Sequence, residues 1–235
     1  MTSLCAGPLV KAAMRSADVG HLADQIQRLQ AAGIDALHFD VMDGRFVPEL
    51  YLGPLIVREL RKYATVPMEV HLLVAEPDRC AEQYLDAGAD CIFAHIEAAE
   101  DPAALLERLR GRRCKAGLAI APQTSAERLR PYLPLCDGVN VMTVTPGVPG
   151  ALNEAGVRNL QQVARMVRGL DHRPFVQVDG AVSAATRDRF IACGAAAMVA
   201  GYPIFSRDDF NAAVVELRQG VVVPDDAPTR SDSKR

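Results

Sequence analysis

The chain has 235 residues, 49% of them hydrophobic, and a formal charge of −3 at neutral pH. That length and apolar content suit one large core, since α/β barrels routinely reach this size as a single domain. The near-neutral balance lacks the basic footprint of a nucleic-acid binder or of a protein held to an anionic membrane. Six cysteines (Cys5, Cys80, Cys91, Cys114, Cys136 and Cys193) have no CxxC spacing. They read as small apolar residues of a reduced, cytoplasmic protein, not as a disulfide framework. Met1-Thr2-Ser3-Leu4-Cys5 carries no signal-peptide pattern, and no apolar run approaches the roughly 20 residues that cross a bilayer.

In chain order, short β-branched runs alternate eight times with stretches of helical periodicity. Strands are expected near 8–14, 35–41, 67–73, 90–95, 115–120, 138–142, 175–179 and 196–200. Between the first two, Leu22, Ile26 and Leu29 form one helical stripe, and residues 103–109 and 157–163 behave alike. Three helix-to-strand joints share a glycine phrase: Ala32-Gly33-Ile34-Asp35, Ala87-Gly88-Ala89-Asp90 and Cys193-Gly194-Ala195-Ala196. Glycine there supplies the left-handed cap that turns the chain out of a helix. Eight β-then-α units predict a (β/α)8 TIM barrel as one domain over 1–219, followed by a polar, disordered tail over 220–235. The rival, a doubly wound sheet, would carry a GxGxxG turn after its first strand, and none is present.

Polar residues gather at three strand ends: His38 and Asp40 on the second, His71 on the third, Asp179 on the seventh. In a barrel, the carboxyl ends of the strands form the active face. A single histidine or aspartate at a strand end is ordinarily a core or turn residue; four on one face make a site. Two imidazoles and two carboxylates can hold a divalent cation, zinc fitting best, with iron, manganese or cobalt as alternatives. The carboxylates can also move protons. Together these groups suit proton abstraction beside a carbonyl, which needs a positioned base and a cation for the developing charge.

These phrases resemble the ribulose-phosphate 3-epimerase family over roughly residues 7–218. The most specific is Asp40-Val41-Met42-Asp43-Gly44-Arg45-Phe46-Val47-Pro48. Ser16-Ala17-Asp18, Glu69-Val70-His71-Leu72, His95-Ile96-Glu97-Ala98, Val141-Met142-Thr143-Val144-Thr145-Pro146-Gly147, Val178-Asp179-Gly180 and Ala200-Gly201-Tyr202-Pro203-Ile204-Phe205 accompany it in order. The resemblance implies a barrel of the ribulose-phosphate-binding type that interconverts D-ribulose 5-phosphate and D-xylulose 5-phosphate through an enediolate. It implies His38, Asp40, His71 and Asp179 as metal ligands, and Asp40 and Asp179 as the acid/base pair. Met42, His71 and Met142 would face the sugar, Gly147, Gly150, Gly180, Gly201 and Tyr202 would stand at the phosphate end, and the protein would be a homo-oligomer.

The departures from the family pattern cluster around the substrate. The family's Pro-Ser-Ile-Leu is Ala12-Ala13-Met14-Arg15 here; its Pro-Gly-Phe-Gly-Gly-Gln is Pro146-Gly147-Val148-Pro149-Gly150-Ala151. Its Asp-Gly-Gly is Asp179-Gly180-Ala181, and its Gly-Ser is Gly201-Tyr202, followed by Pro203. Pro149 and Pro203 remove amide donors that an anion could use, while Arg15 adds a fork suited to carboxylate or phosphate. Three readings follow: a pentulose-phosphate epimerase with a new grip, an epimerase of another phosphorylated or carboxylate-bearing ketose, and a non-catalytic metal-binding relative. A related barrel decarboxylase would carry Asp-x-Lys-x-x-Asp, which is absent.

Overall fold

Strands buried on both faces need apolar residues in both directions, and the eight expected runs have them. The computed structural model describes residues 7–148 and 150–219. The opening pentapeptide, Pro149 and the tail expected at 220–235 lie outside the described residues. The strands are β1 (Leu9–Ala13), β2 (Ala36–Asp43), β3 (Leu50–Tyr51), β4 (Met68–Leu73), β5 (Cys91–His95), β6 (Lys115–Ile120), β7 (Gly138–Met142), β8 (Phe175–Asp179) and β9 (Ala197–Ala200). All but β3 run parallel, in the order β1-β9-β8-β7-β6-β5-β4-β2, and β1 pairs with β2 to close the barrel. Every strand expected from sequence is present, and closure excludes the doubly wound sheet.

The helices are α1 (Leu22–Ala31), α2 (Pro54–Arg61), α3 (Pro77–Asp86), α4 (Pro102–Gly111), α5 (Glu154–Arg168), α6 (Arg187–Ala192), α7 (Tyr202–Phe205) and α8 (Phe210–Arg218). Three open on proline, whose fixed φ and missing N–H suit a first helical turn. The strict alternation fails once. Between β6 and β7 the described residues form only 3-10 turns at Ala126–Leu129 and Leu133–Leu135. Pro131 and Pro134 interrupt the helical hydrogen-bond ladder there.

The main core lies between barrel and helices, where Phe39, Val70 and Ile92 meet Ile26, Leu29 and Phe190. The barrel interior is layered differently. Its floor holds Phe93 and Phe175, edge to face at 6.0 Å. Its mouth holds Met42, Val47, Leu73 and Met142. Between them sit buried polar residues: Lys11, His38, Glu69, His71, Asn140 and Gln177. The two rings fit because Gly117 and Gly138 lack side chains. A Cβ on Gly117 would lie 2.3 Å from the Gly138 carbonyl oxygen and 2.4 Å from the Phe93 ring. Gly117→Ala should therefore lose on the order of 1–3 kcal/mol by overpacking. Urea unfolding reads this directly, and an unchanged midpoint and slope would mean that the floor is not close-packed.

Candidate active site

Strand alternation delivers the site. On β2, Phe39 and Val41 face the helices, so His38, Asp40 and Met42 face the interior. Register then sets neighbours side by side: Asp40 pairs with His71 across β2–β4, and Met142 with Asp179 across β7–β8. One ligand atom from each of His38, Asp40, His71 and Asp179 lies within 4.8 Å of the others. The four residues expected to converge do so.

Each imidazole has one nitrogen turned to this centre and one turned away. His38 Nε2 lies 3.3 Å from Asp40 Oδ1 and 3.4 Å from Asp179 Oδ2. It is fully buried and makes no hydrogen bond. His71 Nδ1 lies 3.1 Å from Asp40 Oδ1 and 3.3 Å from Asp179 Oδ2. Behind them, His38 Nδ1 meets Glu69 Oε1 at 2.7 Å, and His71 Nε2 meets His95 Nε2 at 3.0 Å. His95 Nδ1 is in turn 2.9 Å from Glu97 Oε2. Histidine ligands of metals are held in this way by a carboxylate behind the ring, directly for His38 and through one more ring for His71. An orphaned imidazole nitrogen aimed between two carboxylates, in a mixed N/O donor set, fits a divalent cation.

The charges in this centre hold one another. Burial pushes the His38 imidazole down, but Asp179, Asp40 and Glu69 outweigh it and leave its pKa well above the ordinary value. His71 is raised in the same way, burial again being overcome by Asp179 and Asp40. Burial pushes Asp40 and Asp179 up, and the two imidazoles more than reverse it, most strongly for Asp179. Glu69, pushed up by burial and drawn down by Lys11 and His38, settles at about 2. Without a cation, then, imidazole protons neutralise the carboxylates.

A cavity of about 400 Å³ opens over the centre, with Asp40 and Asp179 in its wall. Met42 and Met142 line it, as do Gly147, Gly150, Gly180, Gly201 and Tyr202, each singled out in the sequence. His38 and His71 do not line it; both are fully buried behind the carboxylates. Asp43 accepts from the amides of Arg45, Phe46 and Ala75, making a turn that sends Phe46 and Val47 back over the mouth. Phe46 then packs on His95 at 4.8 Å. Gly180 has φ +99°, which favours glycine, and Ala181 follows at +51°. Arg15 reaches the cavity and is the one permanent cation among its described lining residues. Its Nη2 donates to Glu49 and to the Gly147 carbonyl, while its buried Nε has no partner.

Sequence reasoning passed over Lys11, Glu69, His95, Glu97, Asn140 and Gln177 as functional residues, and Ser16 and Ser183 in the cavity wall. The signal was available: Glu69, Gln177 and Asn140 each stand two strand positions before an inward site residue, so they share its face.

Fold and site together define a (β/α)8-barrel protein with a carboxylate–imidazole centre at the carboxyl ends of its strands. The model of the Ribulose-phosphate 3 epimerase family matches residues 9–205. A ribulose-phosphate 3-epimerase from Synechocystis sp. is 35% identical over 218 residues, covering 89% of this chain and 93% of the relative. That of Escherichia coli is 35% identical over 214 residues, covering 89% and 94%. The chain belongs to the ribulose-phosphate 3-epimerase family. Among solved structures, 3-hexulose-6-phosphate synthase has a TM-score of 0.65 at 17% identity, covering 89% of this chain and 98% of that one. KGPDC from Streptococcus mutans has a TM-score of 0.65 at 15% identity, covering 89% and 95%. At that identity both share the fold.

The charge arrangement predicts a pH dependence. A histidine whose folded pKa is raised adds stability below its unfolded value, and loses it as pH rises through the folded one. In chelator, the melting temperature should therefore fall as pH rises above about 6.5, the ordinary imidazole value, through the raised folded values. A bound divalent cation replaces those protons, so one equivalent of zinc should flatten the decline. Identical pH profiles with and without zinc would contradict the electrostatic account of the centre.

Proposed function

We propose that the protein is a metal-dependent ketose-phosphate 3-epimerase acting on substrates of the D-ribulose 5-phosphate type, with Asp40 and Asp179 as the two acid/base groups. The observation that carries this reading is that these two carboxylates, from β2 and β8, are the centre's members in the cavity wall. His38, Asp40, His71 and Asp179 would hold the cation, zinc first, with iron, manganese or cobalt as alternatives. When bound, it supplies Lewis-acid stabilisation of charge on substrate oxygens.

The chain's own residues do the rest. One residue, as the carboxylate, takes the C3 proton; the other, entering the reaction as the carboxylic acid, returns its proton to the opposite face, which inverts the centre and leaves the two protonation states exchanged. The thioethers of Met42 and Met142 give the sugar a dry wall, limiting stray protonation of the enediolate by water. The turns at Gly147, Gly150, Gly180, Gly201 and Tyr202 form the phosphate end, while His71, buried behind the carboxylates, serves the cation and not the sugar. A cytoplasmic setting suits the described cysteines, which form no disulfide with one another; no described helix is long and apolar enough to cross a membrane. Exposed Leu50, Leu55 and Ile56, close in sequence, support a homo-oligomer.

Asp40→Asn and Asp179→Asn should each lower kcat by about 10²–10⁴. In D2O, each single variant should retain exchange at C3 from one face only. Losses under about tenfold in both would contradict the two-base assignment. A second reading, a differently charged ketose, is favoured by Arg15 in the wall. Arg15→Leu should raise KM for D-ribulose 5-phosphate by roughly tenfold to a hundredfold, with kcat little changed. An unchanged KM, with faster turnover of a carboxylate-bearing ketose by the parent protein, would favour the second reading.

A further inference from the structure

The buried polar layer beneath the cation centre contains a lysine that the chemistry above does not use. Lys11 projects from β1 into the barrel interior, with its side chain 6% exposed. Its ammonium lies 4.5 Å from the centre of the Phe175 ring, so the floor closes it off on one side. On the other side it donates to Glu69 Oε2 and to Gln177 Oε1. A lysine ammonium has three donors and no acceptor. That asymmetry propagates in two directions.

Along one arm, Lys11 holds Glu69 as an acceptor-only carboxylate. Glu69 Oε1 is 2.7 Å from His38 Nδ1, so the hydrogen on that contact comes from the imidazole. With Nδ1 protonated, Nε2 is the His38 nitrogen whose lone pair is left for the proposed cation between Asp40 and Asp179. Along the other arm, Gln177 has its carbonyl oxygen committed to Lys11. Its amide nitrogen therefore donates to Glu69 at 2.7 Å and to Asn140 Oδ1 at 3.0 Å. Asn140, with its oxygen committed, turns its own amide nitrogen to Asp179 Oδ2 at 3.1 Å. Neither amide can be reversed without setting a donor against a donor.

We infer that Lys11 is a positioning residue: one buried donor-only group fixes the hydrogen-bond polarity of both arms, and so sets the imidazole tautomer of His38 and the orientation of Asp179. The inference rests on the proposed cation centre. Stability alone does not call for the ion pair, since apolar residues of the same volume often replace a buried pair without loss. The layout of two amides and one imidazole in a single donor direction is what an apolar replacement would not reproduce.

Two measurements test this. In the zinc-loaded parent protein, ¹⁵N spectra of the imidazoles should show His38 coordinated through Nε2 and protonated at Nδ1. Coordination through Nδ1 would overturn the inference outright, whatever the behaviour of variants. The second uses Lys11→Met and the double variant Lys11→Met/Glu69→Gln. The single variant leaves Glu69 charged and buried. The double variant restores charge balance, so its melting temperature should return toward the parent's. Its new amide can donate to His38 Nδ1 and stabilise the wrong tautomer. Its zinc dissociation constant, read by chelator competition, should therefore stay roughly 10- to 100-fold above the parent's. A stable double variant that binds zinc like the parent would reduce Lys11 to core filler. Failure of the parent itself to bind zinc would instead remove the cation centre, and this inference with it.

Discussion

Two partly buried carboxylates, Asp40 and Asp179, face one another across the barrel mouth, and positive charge must stand between them. In low dielectric, unpaired anions at this separation are strongly unfavourable. The two imidazoles supply protons when nothing else does, which explains why their pKa values rise while the carboxylates fall. A divalent cation meets the same demand with more charge. The centre is thus built around one electrostatic requirement that two different occupants satisfy.

Meeting it depends on closure of the sheet. The carboxylates sit on β2 and β8, and they converge because β1 pairs with both β2 and β9. The floor rings and their facing glycines hold the strands together below, while the Asp43 turn folds Phe46 and Val47 over the mouth. The centre is rigidly backed, by Glu69 behind His38 and by His95 and Glu97 behind His71. The cavity wall around Gly147, Gly150 and Gly180 is made of loops. In the proposed assignment chemistry is held by strands and recognition by turns, so recognition can change without disturbing the reacting groups. The departures in this chain follow that division in part: Arg15, Ala181 and Tyr202 lie beyond the strands and Ala12 and Ala13 on β1, while all four centre residues are on strands.

Most of the architecture was legible in the sequence, because eight β-branched runs separated by helical stripes leave few alternatives. The exception between β6 and β7 was written in Pro131 and Pro134, which a count of alternating units overlooks. Among site residues, those at strand ends were legible because they interrupt apolar runs where a barrel exposes its active face. Glu69, Gln177 and Asn140 were legible only as inward-facing, two positions before a site residue; their partners were not, because those belong to other strands distant in sequence. Only register brings Glu69 beside His38. Arg15 illustrates the other limit. Its presence at the cavity could be read from the order of the motif, but its capture by Glu49 and the Gly147 carbonyl depends on loops whose paths no local pattern encodes.

The most direct test follows deuterium from solvent into C3 of D-ribulose 5-phosphate, using metal-stripped protein with and without one equivalent of zinc. The account predicts label in both C3 epimers with zinc and none above background without it. Equal incorporation in the stripped protein, or none in the loaded one, would contradict it.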